Sequence, residues 1–162
     1  PCVISVCSIC GGSFYNVVPD CVQMRGTVRL YDKALRKKLP LQLENIIKHY
    51  TSAYGANYEW DYRFMFPPLF NDAQLTEQFE KYTVDILGKE NVTDEGKPSM
   101  AGDDFSYFAD RVPSVYFNLG GANSAKGITM PLHSPDFDFD ESCLMTGILA
   151  VGWFALHFGR ED

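Results

Sequence analysis

The sequence predicts an α/β chain made of two parts. The first is a β-β-α-β segment, with a helix on one face of an antiparallel sheet; the second is a mixed α/β segment. Three observations predict this. Val22–Leu30 and Asn57–Met65 alternate apolar and polar residues on either side of a stretch with helical periodicity. Pro67-Pro68 then interrupts the pattern, since paired prolines neither continue a strand nor enter a helix interior. Beyond it, Ser114–Leu119 is a nearly continuous apolar run, and Glu141–Phe158 is apolar around almost its whole circumference.

Val3–Cys10 is apolar and β-branched, which predicts a strand, and Gly11-Gly12 marks a bulge or a close backbone approach. Val18-Pro19-Asp20-Cys21 has type I turn chemistry. In the next strand Val22, Met24, Val28 and Leu30 share one face, and Gln23, Arg25, Thr27 and Arg29 the other. The two strands are expected to pair as a long hairpin. Asp32 caps a helix to about Tyr54, ended by Gly55, with Leu35, Leu39, Leu43, Ile46, Ile47 and Tyr50 as its stripe. Pro40 lacks the donor a helix interior needs, so a kink or two shorter helices are expected there. After Pro67-Pro68, Asn71 or Asp72 caps a helix to Leu87 with Gly88 behind it. Asn91–Thr93 reads as a short strand, and Gly102–Asp110 as a short helix with Asp103 and Asp104 in its first turn. Ser114–Leu119 reads as a strand covered on both faces. The final helix must be buried on several sides, yet the second segment offers too few elements to cover it. Missing partners follow: the chain is part of something larger, or it associates.

Composition narrows the function. A chain of 162 residues with 46% apolar and 22% charged content is that of a folded domain or two small ones. The net charge of −7 argues against non-specific nucleic-acid binding. No apolar run is long enough to cross a bilayer. Five scattered cysteines suit reduced thiols and a cytoplasmic setting, and Cys7-x-x-Cys10 falls in an extended segment without a second pair. No signal peptide is seen, but the chain opens at Pro1 inside a strand pattern, which leaves export open.

Pro131–Glu141 reads Pro-Leu-His-Ser-Pro-Asp-Phe-Asp-Phe-Asp-Glu. Two prolines stiffen it, and His133 stands beside a run of carboxylates. Neutral imidazole is a common metal ligand, but a lone histidine is more often a hydrogen-bonded structural residue. On these residues alone both readings stay open.

Four blocks then come in order: residues 8–20 (Ser-Ile-Cys-Gly-Gly-Ser-Phe-Tyr-Asn-Val-Val-Pro-Asp), 26–29 (Gly-Thr-Val-Arg), 101–108 (Ala-Gly-Asp-Asp-Phe-Ser-Tyr-Phe) and 131–135 (Pro-Leu-His-Ser-Pro). Together they resemble the C-terminal part of the co-catalytic metal amidohydrolases. That family includes hippurate hydrolase, N-acyl-amino-acid amidohydrolase and the indole-acetyl-amino-acid hydrolases, with aminoacylase and carboxypeptidase G as wider kin. The resemblance implies a ferredoxin-like lid inserted in a zinc-peptidase catalytic domain with a mixed sheet. Residues 1–66 would be the last β-β-α-β of the lid, often a dimerisation module, and residues 67–162 the end of the catalytic domain.

The resemblance also implies chemistry. Family members bind two divalent metals, usually zinc and sometimes manganese or cobalt, activate a bridging water, and hydrolyse an amide with a glutamate as general base. His133 matches the last metal ligand; the other ligands and the base would lie upstream, leaving no catalytic residue on this chain. Asn16 matches a residue that holds the substrate or its carboxylate end, and Arg29 an arginine that contacts substrate in some relatives. For Arg29 a solvated strand-face charge is the competing reading. Gly120-Gly121 would bring backbone N–H groups to the reacting carbonyl, or simply connect. Asp103 and Asp104 would support the metal site from behind, against a helix-capping role. Three positions depart from the family pattern: Cys10 where many relatives have histidine, Asp103 where Glu is commoner, and Pro40 in the lid helix.

These features predict the C-terminal portion of a metal-dependent amidohydrolase acting on N-acyl amino acids or small peptides, homodimeric through the lid. By itself the chain is expected to be inactive and to bind no metal tightly. The other reading is a non-catalytic association module or the product of a truncated gene.

Overall fold

The computed structural model describes residues 1–94 and 98–159. Its elements are β1 (Cys2–Gly11), β2 (Val22–Leu30), α1 (Lys33–Ala53), α2 (Ala73–Leu87), α3 (Ser106–Ala109) and α4 (Ser142–His157). They divide into two compact units. One comprises Pro1–Leu69 and Pro98–Asp110, the other Phe70–Lys97 and Arg111–Asp162.

In the first unit β1 and β2 pair antiparallel from Cys2↔Leu30 to Gly11↔Val22, with a register shift that leaves Cys7 unpaired. That bulge matters because side chains alternate between faces. An unbroken register would set Ile9 opposite Gln23 on the polar face; the shift sets it opposite Met24 instead. Cys2, Ile4, Val6, Ile9, Val22, Met24, Val28 and Leu30 therefore share a face, and Ser5, Ser8, Cys10, Gln23, Arg25, Thr27 and Arg29 the other. The hydrogen-bonded turn between the strands falls at 14–17, where Val17 N–H donates to Phe14 O at 3.4 Å, rather than at 18–21.

Asp32 caps α1: its carboxylate accepts from Ala34 N at 2.7 Å and Leu35 N at 2.8 Å. Those backbone donors, Leu35 first, hold its pKa below the usual carboxylate value. A single helix runs through Pro40, so the two-helix expectation is corrected. One missing donor removes one bond from a ladder whose neighbours remain intact. Leu39 is buried and Leu35, Leu43 and Ile47 are half-buried, whereas Ile46 and Tyr50, on the same stripe, stay exposed.

Residues 58–63 keep their alternation, with Tyr58, Trp60 and Tyr62 half-buried and Glu59, Asp61 and Arg63 exposed, but Phe64, expected on the same inward face, is exposed. They join no ladder, however, so the fourth member of the expected β-β-α-β is an unpaired extended stretch. Alternation specifies which residues face inward; a strand also needs a neighbouring edge to bond. Contacts with α1 hold the stretch instead. Tyr58 hydroxyl donates to Glu44 Oε1 at 3.3 Å, Arg36 donates to Met65 O at 2.7 Å, and its guanidinium lies 4.9 Å from the Phe64 ring centre.

In the second unit Asp72 caps α2, its carboxylate accepting from Leu75 N at 2.9 Å. Asp72→Ala is expected to cost about 1 kcal/mol, read as a lower urea midpoint with unchanged slope. Asn71 does something else. Its amide donates to Tyr116 O at 2.9 Å and accepts from Tyr116 N at 2.8 Å, while Asp72 N donates to Ser114 O at 2.9 Å. Ser114–Leu119 is thus fastened to the start of α2 and is not a ladder strand. Its faces are open too: Tyr116, Phe117 and Leu119 are each about 40% exposed. The strand expected over Asn91–Thr93 is not formed: a one-turn 3-10 helix, Lys89–Asn91, covers its first residue and the next two are irregular.

The α2 stripe packs on α4 through aromatic contacts. Phe79 lies 4.9 Å from Phe117 and 5.2 Å from Phe154, and Tyr82 6.1 Å from Phe154. Only one side of α4 is covered. Ala150 is buried and Phe154 and His157 are half-buried, but Met145 (60%), Ile148 (65%) and Leu156 (60%) are open. Burial on several sides is therefore not reached among the described residues. No helix among them is long and apolar enough to cross a membrane.

Candidate functional site

His133 sits in the second unit on the connection between Ser114–Leu119 and α4. Two turns carry it: Ser134 N donates to Pro131 O at 3.1 Å, and Phe137 N to Ser134 O at 3.1 Å. His133 is exposed, with φ +68, the only non-glycine at positive φ among the described residues. Histidine tolerates this region better than most residues, but it is uncommon backbone, and such strain clusters at functional positions.

The base of the loop is closed by Asp140. Its backbone N–H donates to Gly121 O at 2.8 Å. Its carboxylate accepts from Lys126 Nζ at 2.8 Å, from the Asn123 side-chain amide, and from Ser142 N at 3.1 Å. Asn123 and Ile128 exchange backbone bonds of 2.8 and 2.9 Å, folding the first limb into a tight hairpin turned at Gly127, φ +74. A Cβ on Gly121 would lie 3.0 Å from Phe139 Cβ, so the two limbs meet closely there. At Gly120 a Cβ would meet nothing.

The Lys126 ammonium, then the Asn123 amide and the Ser142 N–H, hold the Asp140 carboxyl well below the usual carboxylate range. A depressed folded value means stability that is complete above the unfolded pKa of about 3.9 and is lost as pH falls below it. Limited proteolysis of the loop is expected to be constant from about pH 5 to 8 and to rise below about pH 4. Loosening near neutrality would contradict this assignment.

The other residues singled out from sequence are distributed as follows. Gly120 shares the second unit with His133; Asn16, Arg29, Asp103 and Asp104 belong to the first. Asn16 lies on the exposed connection between β1 and β2. Arg29 donates to Met100 O at 2.7 Å, and Tyr31 hydroxyl bonds Ser99 O, so the end of β2 ties down the segment leading to Asp103. Asp103 accepts from Phe105 N at 2.9 Å through its carboxylate and from Ser106 Oγ at 2.6 Å through its carbonyl, a local turn ahead of α3, whose own N-cap position, Phe105, carries no side-chain cap bond. Asp104 is exposed. Cys10 is an exposed thiol 3.4 Å from Ser8 Oγ. Sequence reasoning missed the Asp140 cluster; the signal was an Asp just before α4 with Asn123 and Lys126 upstream.

Residues 3–156 match the family described as Peptidase family M20/M25/M40. The chain belongs to this family. Among M20 relatives, thermostable carboxypeptidase 2 of Saccharolobus solfataricus is 34% identical over 99% of the chain and 40% of its own length. The Arabidopsis thaliana IAA-amino acid hydrolase ILR1-like 4 is 32% identical over 90% of the chain and 34% of its own length. The Bacillus subtilis protein YXEP, described as a dinuclear metal-binding peptidase of the M20 family, superposes with a TM-score of 0.77 at 26% identity. The match covers 96% of this chain and 41% of that one. The mixed α/β fold with its small antiparallel sheet thus matches solved M20 structures. The chain spans about two fifths or less of these proteins' lengths.

A dinuclear centre does not fit the donors present here. Among the described residues no three His, Cys, Asp or Glu side chains are gathered to hold a metal. His133 offers one imidazole, and Asp140 is already committed to Lys126 and Asn123.

Proposed function

We propose that this chain is the C-terminal portion of a metal-dependent M20 hydrolase of amide bonds in N-acyl amino acids or small peptides. Residues 1–66 belong to its lid and dimerisation domain, and residues 67–162 to its catalytic domain. One observation carries the reading. The family match spans 3–156, yet the described residues gather no cluster of metal donors and leave apolar faces of α4 and Ser114–Leu119 open. Residues outside this chain would complete both the donor set and the core. The carboxypeptidase and the IAA-amino acid hydrolase among its relatives support the substrate class. In this reading His133 supplies one ligand, Asn16 and Arg29 hold the substrate, Gly120 offers a backbone donor, and Asp103 and Asp104 support the site. The metal pair, of zinc, manganese or cobalt, supplies an activated water when bound.

The 162-residue chain alone, assayed on hippurate-like substrates with added zinc or manganese, is expected to show no turnover. Metal-dependent hydrolysis by the isolated chain would overturn the proposal.

A further inference from the structure

The loop that presents His133 is organised by a group its sequence does not advertise. Asp140 is 8% exposed, and each carboxylate oxygen is engaged: Oδ1 by Lys126 Nζ and Ser142 N, Oδ2 by the Asn123 amide. The donors come from both ends of the loop. Asn123 and Lys126 lie on the outgoing limb, Ser142 at the start of α4, and Asp140 N reaches Gly121 O. Between these anchors His133 is exposed and held at φ +68 by short local turns. Local turns set the shape of the tip, while Asp140 at the base accepts from Ser142 N and Cys143 N at the start of α4.

We propose that Asp140 is a positioning residue, whose buried carboxylate clamps the base of the Gly121–Asp140 loop and so fixes where His133 presents its imidazole. This rests on the reading of His133 as a metal ligand only for its catalytic meaning. Lys126 and Asn123 are donors to one oxygen each, so Asp140→Asn preserves shape but turns an acceptor into a donor. The new amide N–H2 must face either an ammonium or another amide N–H2, with no acceptor between them.

Amide hydrogen exchange and 15N relaxation on the metal-free chain test this. In Asp140→Asn, amides from 122 to 139 are expected to exchange at least about tenfold faster while those of α2 are unchanged. The order parameter at His133 should drop below about 0.6. Lys126→Met, which keeps the Asn123 and Ser142 donors, should loosen the same amides by less. Loop amides that exchange as in the unaltered chain in both variants, or α2 and loop amides changing together, would overturn the positioning role. The ligand reading fails separately: a longer polypeptide that retains full metal occupancy with His133→Ala removes it and leaves the loop result standing.

Discussion

His133→Ala, made in a polypeptide that carries this chain together with the remaining metal donors, is expected to reduce hydrolysis of N-acyl amino acids by more than about 100-fold. The magnitude follows from ligation. Replacing residues that merely orient a metal ligand costs about 10–100-fold, so removing the ligand itself costs more. His133 is exposed at the tip of its loop, and its imidazole takes no part in the clamp at the loop base. Its loss should therefore leave thermal stability nearly untouched. Metal content by elemental analysis and kcat on the same preparation separate the two effects. Unchanged kcat and full metal occupancy would remove His133 from the site.

Gly26→Ala is expected to produce the largest loss of stability in the first unit, about 3 kcal/mol at the upper end of overpacking costs. Gly26 pairs with Val6 next to the bulge at Cys7. A Cβ there would lie 2.3 Å from Ser5 O and 3.2 Å from Ser5 C. Those are backbone atoms, so no side-chain rotation relieves the clash. The hairpin would have to open or lose the bulge, and losing the bulge would turn Ile9 to the polar face. Urea denaturation followed by circular dichroism gives the size. A midpoint within error of the unaltered chain would show that the two strands do not approach as described. Gly120→Ala is the control, since nothing lies within reach of its Cβ.

Much of the secondary structure was legible because local chemistry decides it. Asp32 and Asp72 cap the helices they precede, and Tyr54–Gly55 and Gly88 end them, since short carboxylates and glycines satisfy helix ends without help from elsewhere. The hairpin was legible from alternation in Val22–Leu30. That 57–65 and 114–119 form no strands was not legible, because pairing depends on an edge supplied by another segment. Alternation at Tyr58, Trp60 and Tyr62 reports burial alone.

The candidate site residues came from a different signal. Ordered motifs along the chain carry family membership, so His133 could be singled out before any geometry was known. Arg29 bonding Met100 O, Asn71 bonding Tyr116, and Asp140 joining Lys126 to Asn123 link residues far apart in sequence. No periodicity connects such pairs.

By itself, then, the sequence determined the family, the ends of α1, α2 and α4 to within a residue, and the alternating faces of β2, whereas the helix expected over residues 102–110 shrinks to the single turn of α3. Only the tertiary structure decided that Cys7 is the bulge that keeps Ile9 on the apolar face, that Gly26 must lack a side chain, and that Asp140 clamps the loop beneath His133. The division has a physical cause. Capping and alternation act within a few residues, whereas close backbone approach and a shared carboxylate exist only once distant segments meet.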